Sequence, residues 1–129
     1  MVLVDSSVWI ETFRKPRGLE IEKLIDFDDI VCCLPIYQEV LQGFRDEHAY
    51  RKAREALRAM PMIESPLSIE VFDQATDLYR STRRLGHTVR SSVDCLIAAC
   101  ALRHNLEILH RDRDFAVIAR VAPLRVREA

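Results

Sequence analysis

The sequence contains no long hydrophobic run. Its longest unbroken apolar stretch covers residues 95–102, which is far short of the roughly 18 residues typical of a membrane-spanning helix. The apolar stretch near the N-terminus is interrupted by Asp5 and Glu11, so it lacks the continuous apolar centre of a secretory signal. We therefore expect a soluble, cytoplasmic protein without a membrane partner.

The sequence also lacks an excess of positive charge and a zinc-binding pattern. Its 19 Lys and Arg residues are balanced by 20 Asp and Glu residues, so any contact with nucleic acid has to come from local basic patches. The cysteines Cys32, Cys33, Cys95 and Cys100 have neither CxxC spacing nor a Cys/His arrangement suited to zinc. Their apolar neighbours predict buried thiols in a reducing compartment.

No internal repeat, low-complexity tract or linker divides the 129 residues, so we expect one domain over residues 1–129. Short apolar segments alternate with helical patterns, which predicts an α/β fold with a small parallel β-sheet flanked by helices on both faces. The predicted strands cover residues 2–4, 30–33, 62–63, 108–109 and 124–126. The predicted helices include a short one over 19–25 and a long one from Ser68 to about Gly86, with Ile69, Phe72, Ala75, Tyr79 and Thr82 on one side.

Four acidic residues lie where these strands end or the following helices begin. Asp5 and Asp112 follow strands, whereas Glu39 and Asp94 lie in or near the first turn of a helix. In an open parallel sheet, ligands bind beyond the carboxyl ends of the strands. We therefore expect these four acids to converge on one edge of the sheet.

Each acid also has a structural interpretation. Asp5 is suited to capping the first helix, and Asp94 completes a near capping box with the serine three residues before it. Glu39 fits an ordinary solvated helix position. Asp112 is suited to capping the last helix, a role for which Asp114 competes.

Together, however, four crowded carboxylates repel one another unless a cation lies among them. A ligand set of oxygens without His or Cys favours Mg²⁺ or Mn²⁺ over zinc. Such a site suits phosphodiester hydrolysis, because the metal activates water and stabilises the leaving oxygen.

Four stretches of the sequence, taken in order, resemble the PIN-domain ribonucleases and most closely the VapC toxins of bacterial toxin–antitoxin pairs. They are VLVDSSVWIE, PIYQEVLQGFR, SSVDCLIAACAL and LHRDRDF, and the resemblance covers essentially the whole chain. It implies a PIN-like fold and a catalytic, metal-binding role for Asp5, Glu39, Asp94 and Asp112. It further implies a Mg²⁺-dependent endoribonuclease, with Mn²⁺ as a possible substitute, that leaves 5′-phosphate and 3′-hydroxyl ends on RNA. A homodimer and a cognate antitoxin, whose C-terminal segment occupies the active-site groove, are implied as well.

Three further residues have supporting roles by the same resemblance. Ser6 follows the first acid and supports the site, with helix capping as the alternative. His110 stands two residues before the last acid, where family members commonly have Thr, Ser or Asn, and is a candidate supporting residue of Asp112, with a structural hydrogen bond as the alternative. Asp114 is either a supporting residue or a surface residue.

Bound RNA needs cations beside an acidic centre. Arg14 and Lys15 follow the first helix, and Arg83, Arg84 and Arg90 lead into the helix that carries the third acid. Both groups are candidates for RNA binding. The alternative for each of these residues is a solvated helix surface.

Two other function classes stay open. A metal-dependent phosphatase usually has a DxD pattern after its first strand, but here Asp5 is followed by Ser6 and Ser7. Release of phosphate from a small monoester distinguishes such an enzyme from a nuclease. The second class is a non-catalytic PIN-like module that only binds a protein or RNA, against which the presence of all four acids argues.

Overall fold

A parallel β-sheet forms the centre of the computed structural model, which describes residues 1–14 and 16–129. Its strands within that part of the chain are β1 (Val2–Val4), β2 (Ile30–Cys33), β3 (Met62–Ile63), β4 (Glu107–His110) and β5 (Val126–Glu128). Their order across the sheet is β3-β2-β1-β4-β5, and every neighbouring pair is parallel. The predicted parallel α/β fold is therefore confirmed.

Helices connect the strands. They are α1 (Ser6–Thr12), α2 (Leu34–Gln42), α3 (Glu47–Arg58), α4 (Ile69–Arg84), α5 (Ser92–Arg103) and α6 (Arg113–Ile118) in the described residues. The helix predicted over 19–25 is only a 3₁₀ turn, Ile21–Lys23. The last strand begins two residues later than predicted, at Val126, where pairing with Ile108 starts.

The central strand β1 is almost completely buried. Leu3 pairs with Val31 of β2 on one side and with Ile108 of β4 on the other, and all three side chains are buried. All four cysteines are free and buried, as their apolar neighbours predict. Helices cover both faces of a parallel sheet, so its strands are buried on both faces. This burial explains why the strand sequences are continuously apolar.

The buried face of α4 differs from the prediction. Val71 and Leu78 join Ala75 and Thr82 in the core, whereas Ile69 is 72% exposed and Phe72 is 49% exposed. Two apolar stripes run along this helix, and periodicity alone does not show which one faces the sheet. The exposed stripe leaves an apolar surface on α4. Within the described residues, the helices are all too short or too polar to cross a membrane.

Candidate metal centre

The carboxyl edge of the sheet brings the four predicted acids together. Asp5 directly follows β1 and Asp112 follows β4, while Glu39 lies on α2 and Asp94 in the first turn of α5. Carboxylate oxygens of Asp5, Glu39 and Asp94 lie within 4.8 Å of one another, and those of Asp94, Asp112 and Asp114 form a second set within the same limit. Asp94 belongs to both sets and is therefore the centre of the cluster.

Two oxygens in this cluster are buried without a hydrogen-bond partner. Asp5 is 1% exposed and Asp94 is 4% exposed, and among the described residues nothing donates to Asp5 Oδ1 or Asp94 Oδ2. A buried carboxylate oxygen without a donor is costly. A divalent cation between these oxygens would remove that cost, so the residues present fit a metal site.

The pKa values of the cluster show how strongly charge is disfavoured there. Burial, with repulsion from Asp5 and Asp112, raises the pKa of Asp94 to about 9. Burial also raises the pKa of Asp5 and of Glu39, although hydrogen bonds from serines act in the opposite direction. Ionising all of these acids at neutral pH therefore requires positive charge from outside the side chains of the cluster.

Asp5 serves as a helix cap with one oxygen only. Its Oδ2 accepts hydrogen bonds from the backbone N–H of Ser7 at 3.0 Å and from the Ser7 hydroxyl at 2.5 Å. Its Oδ1 takes part in neither bond. The capping interpretation is thus correct for one oxygen of Asp5 and leaves the other free to bind a cation.

The Ser6 hydroxyl donates a hydrogen bond to Glu39 Oε1 at 2.9 Å. The alternative role of Ser6 as the helix cap is wrong, because Asp5 holds that position. The capping interpretation of Asp94 is not supported either, since Ser91 makes no side-chain capping hydrogen bond on α5.

Asp112 and His110 are linked through the backbone at the end of β4. Asp112 caps α6 by accepting a hydrogen bond from the Asp114 amide at its Oδ1, at 3.0 Å. His110 is 4% exposed, and its Nδ1 accepts a hydrogen bond from the Asp112 N–H at 3.3 Å. The structural hydrogen bond given as the alternative role of His110 is therefore present. Its donor is the backbone N–H of Asp112, one of the four predicted acids.

Asp114 is buried, so its interpretation as a surface residue is wrong. It is 2% exposed, and its Oδ2 accepts a hydrogen bond from the backbone N–H of Arg90 at 2.9 Å. The Arg90 guanidinium lies 4.0 Å from Asp114 Oδ1 with 64% of its side chain exposed. Arg90 is thus a cation that reaches the rim of the cluster.

The other cations predicted to bind RNA differ in their surroundings. Arg14 pairs with Glu11 at 3.1 Å, Arg83 lies over the Tyr79 ring at 5.9 Å, and Arg84 is exposed near the end of α4. Lys15 lies outside the described residues. All three arginines are exposed, so the solvated alternative holds for each of them, and Arg14 and Arg83 make these contacts at the surface.

Sequence reasoning missed one residue of the cluster, Ser7. Its hydroxyl contacts both Asp5 and the backbone of Arg111, which lies 104 positions further along the chain. The available signal was the second serine after the acid.

The chain is similar to known proteins over nearly its full length. The sequence profile of the PIN domain matches residues 2–121. Ribonuclease VapC11 of Mycobacterium tuberculosis is 39% identical over 130 residues, which cover 97% of this chain and 96% of that protein. Two solved assemblies contain chains of similar fold. For VapBC-5 of M. tuberculosis the TM-score is 0.73 at 23% identity, and the match covers 98% of this chain and 97% of that chain. For VapBC2 of Rickettsia felis, bound to a DNA fragment from its promoter, the TM-score is 0.75 at 12% identity, and the match covers 100% of this chain and 99% of that chain.

Proposed function

Because the chain belongs to the PIN-domain family and, within it, to the VapC proteins, we propose that it is a metal-dependent endoribonuclease and the toxin of a toxin–antitoxin pair. The observation that carries the proposal is the set of carboxylate oxygens from Asp5, Glu39 and Asp94 within 4.8 Å, together with the buried Asp5 Oδ1 and Asp94 Oδ2, which have no hydrogen-bond partner among the described residues. Its relative VapC11 is named a ribonuclease. RNA is therefore the substrate class we assign to this site.

The proposed ligands of the cation are Asp5, Glu39, Asp94 and Asp112. Their oxygen-only donor set suits Mg²⁺, with Mn²⁺ as a substitute. When bound, such an ion supplies an activated water and stabilises the charge that develops on the phosphate. The protein's own part is to hold these carboxylates in place: the Ser6 hydroxyl orients Glu39, and capping hydrogen bonds fix one oxygen each of Asp5 and Asp112.

Asp94 has the additional task of releasing a proton when the cation binds. Its pKa of about 9 means that this carboxyl is largely protonated at neutral pH in the metal-free protein. To hold a cation as a carboxylate, Asp94 would have to release this proton. Metal binding at this site is therefore coupled to proton release.

The phosphate groups of RNA would meet Arg90 at the rim of the cluster. Its guanidinium is largely exposed and lies beside the Asp114 carboxylate. Arg14, Lys15, Arg83 and Arg84 are proposed as further RNA contacts. Each such cation contributes mainly salt-dependent affinity and not base recognition.

Two apolar grooves support the proposed protein partners. One, of about 600 Å³, is lined by residues of α1, α2 and the following loop, including Ile10, Phe13 and Phe44. The other, of about 460 Å³, lies between α4 and α5 and includes Phe72 and Leu96. We assign the first groove to the C-terminal segment of an antitoxin, because Val40 in its lining directly follows Glu39 of the cluster on α2, and the second to a homodimer contact, because the exposed Phe72 of α4 lies along it.

The partners are tested by placing a charge in each groove. Ile10 is 49% exposed, as is Phe72, so glutamate at either position is compatible with folding. Ile10→Glu should weaken antitoxin binding in isothermal titration and leave dimerisation intact. Phe72→Glu should convert the dimer to a monomer in light scattering. Unchanged binding or unchanged mass, respectively, would refute the corresponding assignment.

The activity is tested with purified, antitoxin-free protein and total cellular RNA. Cleavage into discrete fragments is expected with Mg²⁺ or Mn²⁺, but not with EDTA and not with Asp94→Asn. Asp77→Asn, which removes an exposed carboxylate from α4, serves as the matched control and should cleave like the parent. A folded, metal-binding parent that cleaves no RNA would contradict the proposal and favour a non-catalytic binding module.

A further inference from the structure

The hydroxyl of Ser7 joins two distant parts of the acid cluster. It donates a hydrogen bond to Asp5 Oδ2 at 2.5 Å and accepts one from the backbone N–H of Arg111 at 2.9 Å. Arg111 precedes Asp112 in the loop between β4 and α6. A single oxygen atom thus connects the acid after β1 to the loop that carries the acid after β4.

A hydrogen bond between backbone groups also joins these two parts of the cluster. The Asp5 N–H donates to the carbonyl of Leu109 on β4 at 2.9 Å, which fixes the chain of Asp5 but not its carboxylate. The carboxylate is fixed at Oδ2 by the Ser7 N–H and the Ser7 hydroxyl. With Oδ2 occupied in this way, the unpaired Oδ1 is the atom left for a cation.

We infer that Ser7 is a positioning residue of the proposed metal site, holding the Asp5 carboxylate and the Arg111–Asp112 loop in one arrangement through its hydroxyl. The inference rests on the proposed function, since it concerns how well the cluster is arranged for a cation. Residues that orient metal ligands typically affect metal affinity by roughly 10- to 100-fold. Ser6 has the corresponding contact with Glu39, so the two consecutive serines serve two different acids.

A helix cap alone does not require this hydroxyl. The capping hydrogen bond runs from the backbone N–H of Ser7 to Asp5, and that N–H is still present when the side chain is alanine. Ser7→Ala therefore removes the connection to the Arg111 amide while it leaves the cap of α1 in place. A purely structural role of Ser7 in capping predicts no change at Arg111.

The variants for the test are Ser7→Ala, Ser7→Thr, which keeps a hydroxyl, and Ser7→Cys, whose thiol is a weaker donor. The matched control is Thr12→Val on the same helix, because among the described residues the Thr12 hydroxyl bonds only to the Val8 carbonyl, at 2.8 Å. Ser7→Cys replaces Ser7→Ala in the comparison if the alanine variant does not fold.

The first measurement is amide hydrogen exchange at Arg111 in the metal-free full chain. We expect exchange at least about tenfold faster in Ser7→Ala than in the parent, since the amide loses its acceptor. Ser7→Thr and Thr12→Val should exchange at the parental rate. This readout needs neither metal nor activity.

The second measurement is Mn²⁺ affinity by isothermal titration. Ser7→Ala should bind Mn²⁺ roughly 10- to 100-fold more weakly than the parent, Ser7→Thr should recover most of the affinity, and Thr12→Val should match the parent. Parental exchange at Arg111 and parental Mn²⁺ affinity in Ser7→Ala would overturn the inference and leave the proposed function standing. A parent that binds Mn²⁺ but cleaves no RNA would instead overturn the proposed function, and one that does not bind Mn²⁺ would overturn both.

Discussion

The hydroxyl of Ser6 donates a hydrogen bond to Glu39 Oε1 across 2.9 Å, joining α1 to an acid 33 positions further along the chain. Ser6 is 7% exposed, so water does not readily replace this donor. A carboxylate that loses its donor at a metal site is both less ionised and less well oriented.

Ser6→Ala should therefore reduce metal-dependent RNA cleavage by roughly 10- to 100-fold. Initial cleavage rates at several Mn²⁺ concentrations measure the effect, and high Mn²⁺ should restore part of the activity. Thr76→Val, which removes a hydroxyl that donates to the Phe72 carbonyl within α4, is the matched control. Parental rates in Ser6→Ala would show that Glu39 needs no orienting donor.

The raised pKa of Asp94 predicts an unusual pH dependence of stability. Between the ordinary pKa of 3.8 and the folded value of about 9, the folded state holds a proton that the unfolded state has lost. The metal-free protein should therefore lose stability as pH rises through this window. Asp94→Asn removes the titrating group, so its stability should fall less steeply with pH and exceed that of the parent at pH 8.

Urea unfolding in EDTA at a series of pH values measures this difference. Asp73→Asn, at an exposed position of α4, controls for the loss of one negative charge. Parallel stability curves for the parent and Asp94→Asn would contradict the raised pKa.

The hydrogen bonds of Asp114 indicate that it supports the metal site and is not itself a ligand of the cation. Its Oδ2 accepts from the Arg90 amide at 2.9 Å, and the amide oxygen of asparagine is able to replace it there. Asp114→Asn should therefore retain cleavage within roughly tenfold of the parent, whereas Asp112→Asn should lose nearly all of it. If single-turnover cleavage is equally lost in both variants, Asp114 is itself a ligand.

His110 supports the last acid by accepting a hydrogen bond from the Asp112 amide at Nδ1, at 3.3 Å. His110→Asn keeps an acceptor near this amide, and His110→Leu removes it. The leucine variant should lose about 1–3 kcal/mol of unfolding free energy, because a buried donor is left unpaired, and the asparagine variant should lose less. Chemical denaturation of both variants checks this, and equal losses would exclude the hydrogen bond as the cause.

Much of the fold could be predicted because it depends on local patterns. Continuously apolar segments such as residues 30–33 indicate buried parallel strands. The choice between two apolar stripes on α4 was not local. It depends on which stripe meets the sheet, and the prediction placed the exposed Ile69 and Phe72 on the buried side.

The candidate site likewise combines features that the sequence predicts with contacts that it does not. That the four acids meet at one edge follows from sheet topology, which the order of strands and helices predicts. The contacts of Ser7 with Arg111 and of Asp114 with Arg90 join segments that are far apart in sequence. No spacing rule connects such residues, so only the folded arrangement reveals which hydroxyl or carboxylate supports which acid.

The chemistry of the cut ends tests the central claim most directly. RNA treated with the protein and Mg²⁺ is ligated to adapters that require a 5′-phosphate, with and without prior phosphorylation by a kinase. Attack of a metal-activated water on phosphorus, with the 3′-oxygen as the leaving group, predicts discrete new 5′-phosphate ends that are absent with EDTA and with Asp94→Asn. New ends that ligate only after kinase treatment, or that form equally well in EDTA, would contradict a metal-dependent nuclease built on these acids.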